Sequence, residues 1–227
     1  MKNLIINLFK KSNFRFQTYR NLSINKNEDN MSKKAFWDKF YSKHTTKTFE
    51  WLIEFNDSLK SLSQNLISLT NGEKPTLLLD VGCGTSQFSQ DLKNTLDSSF
   101  LICTDFSYKA LDLLKSKNSS LQTIDYVECN CKYLPFRSTV CDLIIDKGFS
   151  DSLLKETNTR KSLQQTLKSI NNQLETLQQN GVLIQITDEE PELRISSLFD
   201  QLNIQYNFKE INLDSGSNYF VYFIKKK

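Results

Sequence analysis

At 227 residues, with 38% hydrophobic residues including 16 Phe among them, the chain has the length and apolar content of one domain with a substantial core. No stretch approaches the roughly 18–20 consecutive apolar residues of a membrane-spanning helix, which argues against a membrane partner. The net charge of +3 is uneven: residues 1–27 hold six of the 29 bases and no acid, leaving 23 bases against 26 acids and a mildly acidic body that does not suit a general nucleic-acid binder.

Residues 1–27 carry Leu4, Ile5, Ile6, Leu8, Phe9, Phe14 and Phe16 among bases, Asn and Ser. A basic, hydroxyl-rich, acid-free segment able to form an amphipathic helix has the composition of a mitochondrial transit peptide. Localisation in the mitochondrial matrix follows as the expectation, and a translation start at Met31 would leave a cytosolic form. Residues 31–74 form a helical extension. Phe36, Trp37, Phe40 and Tyr41 share one helix face, and a second amphipathic segment begins at Thr48-Phe49-Glu50-Trp51-Leu52-Ile53 and continues through Leu66. Any one of these aromatics is satisfied by packing on a sheet. With both tryptophans ahead of the first strand, Trp37 and Tyr41 are also candidates for a lid over a ligand.

The main domain spans 75–227. Strands are expected at Thr76–Val81, Phe100–Thr104, Ile124–Cys129, Cys141–Asp146 and Val182–Thr187. Helices alternate with them at Gln87–Leu96, Tyr108–Lys117, capped by Ser107, and about 160–178, stopped by Asn180-Gly181. A further helix at Pro191–Leu202 precedes two alternating apolar strands, Ile204–Ile211 and Tyr219–Ile224, which read as an antiparallel edge hairpin. The expected fold class is α/β: seven strands, mostly parallel, with helices on both faces. The five cysteines form no CxxC pair and fall on or beside buried strands, which suits a reducing compartment. His44 is the only histidine and Cys129 and Cys131 are too close for a zinc knuckle, so no metal site is expected.

The chain is organised around Leu77-Leu78-Leu79-Asp80-Val81-Gly82-Cys83-Gly84. An apolar strand ends in an acid, and two glycines let the backbone turn sharply against a ligand. The third glycine of a dinucleotide fingerprint is missing, and the G-K-[ST] of a phosphate loop is absent. A carboxylate two residues before the first glycine suits a cationic ligand better than a pyrophosphate.

The D-x-G-x-G turn resembles motif I of class I S-adenosylmethionine-dependent methyltransferases. The resemblance covers about residues 75–225. It implies S-adenosyl-L-methionine as cofactor, with Gly82 and Gly84 against its body and Asp80 near its amino group. Asp105, 25 residues after Asp80, matches the acid that takes the ribose diol. Asn130 stands where the family often has an acid for the adenine amino group, and its side-chain oxygen still accepts such a bond.

Phe36-Trp37-Asp38-Lys39-Phe40-Tyr41, Phe49-Glu50-Trp51 and Asp146-Lys147-Gly148-Phe149-Ser150-Asp151-Ser152-Leu153 resemble a narrower group. These are protein-lysine methyltransferases related to the elongation-factor-1A enzymes and the mitochondrial citrate synthase enzyme. Phe149-Ser150 departs from the commoner Thr-Leu or Thr-Trp. The resemblance implies methyl transfer to a lysine of citrate synthase, with Asp146 and Asp151 as candidate catalytic carboxylates. Asp151 alternatively caps a helix starting at Ser152, and Lys147 either faces solvent or pairs with Asp146. Other readings of the same motifs are an assembly factor that binds the cofactor without transfer, or a methyltransferase for elongation factor 1A or a small molecule.

Overall fold

The computed structural model describes residues 31–44, 49–55, 59–60, 66, 74–118, 122–155, 159–212 and 218–226. The leader expected at 1–27 lies outside them, as does Thr48 of the second amphipathic segment. Helix α1 covers Lys34–Lys43. The main domain then runs β1 Leu77–Val81, α2 Phe88–Leu96, β2 Phe100–Asp105, α3 Tyr108–Lys117 and β3 Ile124–Glu128. It continues with β4 Cys141–Lys147, the short α4 Phe149–Leu154, α5 Thr159–Thr176 and β5 Leu177–Thr187. A helical run over 191–202, here α6, carries a π-turn at Ile195–Phe199. It is followed by β6 Gln205–Asn212 and β7 Asn218–Lys225.

The seven strands form one sheet in the order β3-β2-β1-β4-β5-β7-β6. All neighbours are parallel except β7, which is antiparallel to both β5 and β6. The expected seven-stranded, mostly parallel α/β fold with a terminal hairpin is therefore what forms. The chain winds outward from β1 through β2 to β3, then returns to start the other half at β4. The carboxyl ends of β1 and β4 thus flank a topological switch point, where a crevice opens.

Both faces of the sheet are covered, so β1, β2 and β4 are almost continuously buried. Side chains still alternate. Leu78, Leu101, Leu143 and Ile145 pack with Phe88, Leu92 and Leu96 of α2 and Leu111 and Leu114 of α3 on one face. Ile53, Leu59 and Leu66 of the N-terminal extension join that face. Leu77, Leu79, Ile102 and Ile144 pack on the other, with Ile170 of α5 and Leu198 and Phe199 of α6.

Three local expectations change. The segment 49–55 is irregular, not helical, and Leu52 sits at φ 71°. Its groups are committed elsewhere: Phe49 N donates to Thr85 Oγ1 at 3.1 Å, and the Glu50 side chain accepts from Gln87 N, at the start of α2, at 2.8 Å. Helix α5 ends at Thr176, and β5 begins immediately, ahead of the expected stop. Asn180, at φ 68°, lies inside β5 beside the register shift against β4. Finally, α4 starts at Phe149 with Gly148, at φ 78°, as its N-cap, so Asp151 lies inside the helix and is not its cap.

Candidate active site

The turn after β1 is built by hydrogen bonds to the neighbouring strand. Gly82 N and Cys83 N both donate to Thr104 O, at 2.8 and 2.9 Å. Gly82 and Gly84 take φ of 71° and 55°, where a side chain is strained. A Cβ on Gly82 would meet Phe149 Cβ at 2.9 Å, and one on Gly84 would meet the Tyr41 hydroxyl. The turn is therefore pressed between α4 and α1, and both glycines are demanded by contacts as well as by φ.

Above it lies a cleft, open to solvent. Asp80, Gly82, Gly84, Asp105 and Asn130 line it, together with Trp37, Tyr41, Phe49, Trp51, Lys147 and Phe149. The structure thus brings seven sequence-selected residues, Asp80, Gly82, Gly84, Asp105, Asn130, Trp37 and Tyr41, to one cavity.

Asp105 ends β2. Its carboxylate accepts from Gly84 N at 3.0 Å and Ser107 N at 2.7 Å. Burial pushes its carboxyl up to about 6, against the pull of those two N–H donors. Asp80, one residue before the end of β1, accepts from Ser89 Oγ of α2 at 2.5 Å. Burial pushes it up to about 7, with Ser89 and Lys147 opposing. Burial disfavours the charge on both carboxylates, so a ligand that donates hydrogen bonds or positive charge to them relieves that cost. Asn130 Oδ1 accepts from Lys132 N at 3.2 Å in the loop after β3. Asp80, Cys83 and Cys103 also bring ligand atoms within 4.8 Å of one another. Burial drives the Cys83 thiol well above its ordinary value, so it is a thiol packed in the core and not a ready thiolate.

Aromatic rings close the cavity. Trp37 stacks on Tyr41 at 5.8 Å and meets Trp51 edge-on at 5.7 Å, and Phe49 lies 5.8 Å from Trp51. Helix α1 is fixed by Asp38, which accepts from Ser107 Oγ at 2.6 Å, the same Ser107 whose amide meets Asp105. Trp51 lies against Gly148, where a Cβ would stand 2.5 Å from its ring.

Asp146 and Asp151 do not line this cavity. Period-two alternation turns Asp146 to the α5 face of the sheet. There it accepts from Ser150 N at 3.0 Å, from Ser150 Oγ, from Gln173 Nε2 at 3.1 Å and from Gln185 Nε2 at 3.2 Å. Asp151 pairs with Arg194 at 2.5 Å. Arg194 also meets Glu189 at 3.3 Å and Gln185 Oε1 at 3.2 Å. Burial works against the Arg194 charge, but Asp151, Asp146 and Glu189 more than offset it. This buried network fixes α4 from behind, leaving Phe149, Ser152 and Leu153 to face the cavity. Lys147, on the opposite side of β4, neither faces solvent nor pairs with Asp146. It bonds Glu50 Oε2 at 3.0 Å and Trp51 O at 2.6 Å. Arg194 carried no local sequence signal, and Glu50 stood in the Phe49-Glu50-Trp51 motif without a role, because their partners lie far along the chain.

A glycine turn at the switch point of a seven-stranded sheet, together with a relative 30% identical over 87% of the chain, places the chain among the S-adenosylmethionine-dependent methyltransferases. A methyltransferase domain model matches residues 79–184. The chain is 30% identical over 220 residues to the mitochondrial citrate synthase-lysine N-methyltransferase CSKMT of Danio rerio, covering 87% of this chain and 85% of that protein. It is 23% identical over 168 residues to the eEF1A lysine and N-terminal methyltransferase homolog of Drosophila melanogaster, covering 71% of this chain and 23% of that protein. The fold superposes on the N-methyltransferase NodS of Bradyrhizobium japonicum, solved with S-adenosyl-L-homocysteine, with a TM-score of 0.62. That match has 12% identity and covers 84% of this chain and 98% of NodS. Among the described residues no helix is long and apolar enough to cross a membrane.

Proposed function

We propose that the chain is a protein-lysine N-methyltransferase acting on mitochondrial citrate synthase. The observation that carries this reading is the 30% identity, sustained over 87% of the chain, to an enzyme of that name. The transit-like composition of residues 1–27 supports a mitochondrial location. In the cavity, Asp105 takes the ribose hydroxyls and Asp80 the amino group. The Gly82–Gly84 turn lies against the body of the cofactor, Asn130 meets the adenine, and Trp37 and Tyr41 form the cover.

S-adenosylmethionine supplies an activated methyl on a sulfonium, so the protein need only align a neutral amine with it. A lysine amine is charged at its reference pKa of ~10.4 and must first lose a proton. Desolvation among Trp37, Phe49, Trp51 and Phe149 favours the neutral form. The carboxylates of the cavity wall, Asp80 on β1 and Asp105 at the end of β2, are assigned to the cofactor in this reading. Asp146 and Asp151 act through α4 as positioning residues and do not touch the acceptor. The test is methyl-lysine mapping of a mitochondrial extract treated with the purified chain and S-adenosylmethionine. New methylation concentrated on citrate synthase supports the reading. Methylation confined to another protein contradicts it.

A further inference from the structure

Lys147 is an ammonium with 8% exposure on the wall of the cavity that holds the cofactor turn. Its position follows from β4 alternation, which aims it at α2, 5.7 Å from the centroid of Phe88. S-adenosylmethionine is cationic at sulfur, whereas its product S-adenosylhomocysteine is a neutral thioether. An uncompensated ammonium buried in the cavity wall would favour the neutral product over the cationic donor.

Glu50 pairs with Lys147 directly, with the Asp80 carboxyl as a second acidic group near it. Its Oε2 accepts from Lys147 Nζ at 3.0 Å and from Ser86 Oγ at 2.6 Å, and its Oε1 accepts from Gln87 N at 2.8 Å. Side-chain exposures of 5% for Lys147 and 16% for Glu50 leave little solvent to screen the pair. The same contacts tie the segment carrying Phe49 and Trp51 to the start of α2 on one side and to the end of β4 on the other.

We propose that Glu50 is a positioning and charge-balancing residue: it neutralises Lys147, so that the cavity accepts a cationic donor against its neutral product, and it pins Phe49 and Trp51 as the wall. This rests on the cofactor occupying this cavity, which Asp105→Asn tests separately. Calorimetry with S-adenosylmethionine and with S-adenosylhomocysteine gives a Kd ratio for each variant. Glu50→Gln shifts that ratio toward the product by about tenfold. Lys147→Met, which leaves Glu50 without its cation, shifts it the opposite way. Glu50→Gln combined with Lys147→Met returns it to within about threefold of wild type. Acrylamide quenching of the two tryptophans, both in the cover, reports whether each variant keeps the wall in place. An unchanged ratio in Glu50→Gln and Lys147→Met, with both ligands still bound, overturns the charge-balancing role. Failure of wild type to bind either ligand overturns the cofactor reading as well.

Discussion

Replacing Asp105 by Asn tests the cofactor cavity with little change in shape. The carboxylate is 5% exposed and already accepts two backbone N–H groups, from Gly84 and Ser107. Asn keeps one accepting oxygen and loses both the charge and the second acceptor. Charge-assisted bonds to two ribose hydroxyls are worth ~1.5–3 kcal/mol each. Losing the charge and part of the geometry predicts a loss of about 2–4 kcal/mol, or a Kd for S-adenosylmethionine weaker by about 30- to 1000-fold. The assay is calorimetry at about pH 8, where the wild-type carboxyl, pushed up to about 6, is ionised. The urea midpoint should fall modestly, with a stability loss of about 1–3 kcal/mol, because Asn presents an NH2 to one of the two buried N–H groups and leaves it without an acceptor; the Kd is therefore measured on protein shown to be folded. A Kd within about threefold of wild type would refute the assignment of Asp105 to the cofactor.

The raised carboxyls also give a pH signature. Asp80 and Asp105 hold protons more tightly when folded, up to about 7 and about 6, than in the unfolded chain. Their contribution to stability is thus complete below about pH 4 and declines as pH rises through those values. Cofactor affinity runs the other way, strengthening from about pH 5.5 to pH 8 with proton release, measurable by calorimetry in buffers of different ionisation enthalpy. Arg194→Met leaves Asp151 buried without its partner and should cost about 3–5 kcal/mol in urea unfolding, most of it recovered by adding Asp151→Leu. Independent, additive losses in the double variant would contradict a buried pair. Gly148→Ala places a Cβ 2.5 Å from the Trp51 ring at φ 78°. It should cost about 1–3 kcal/mol and shift the tryptophan emission, and unaltered emission would contradict the Trp51 contact.

What the sequence revealed well was local. The Asp80–Gly84 turn is legible because turn chemistry depends on adjacent residues, and Asp105 because parallel strands with a helical crossover fix its separation from that turn. The strands were readable from short apolar runs, and the Tyr108–Lys117 helix from its Ser107 cap, which accepts from Ala110 N. The readings that changed depend on distant partners. Asp146 is a catalytic candidate in the sequence because it opens the Asp146–Leu153 loop that resembles the lysine methyltransferases. Alternation along β4 sends it toward Gln173 and Gln185, and sends Lys147 to the cavity instead. The aromatic spacing of 49–55 resembled a helix, yet Glu50 gains more by accepting from Gln87 N at the start of α2 and pairing with Lys147. Asn180-Gly181 resembles a helix stop, but Asn180 takes its φ of 68° within the irregular pairing of β5 with β4, and a Cβ on Gly181 would stand 3.1 Å from Asp142 O of β4.

The most direct measurement of the central claim is intact mass spectrometry of purified citrate synthase after incubation with S-adenosylmethionine and this chain. The account predicts a gain of whole methyl groups on a lysine with the wild-type protein, and none at the same concentration with Asp105→Asn. Citrate synthase left unmodified by a wild-type protein that binds the cofactor would contradict the proposed substrate. Methylation that persists undiminished in Asp105→Asn would contradict the proposed site.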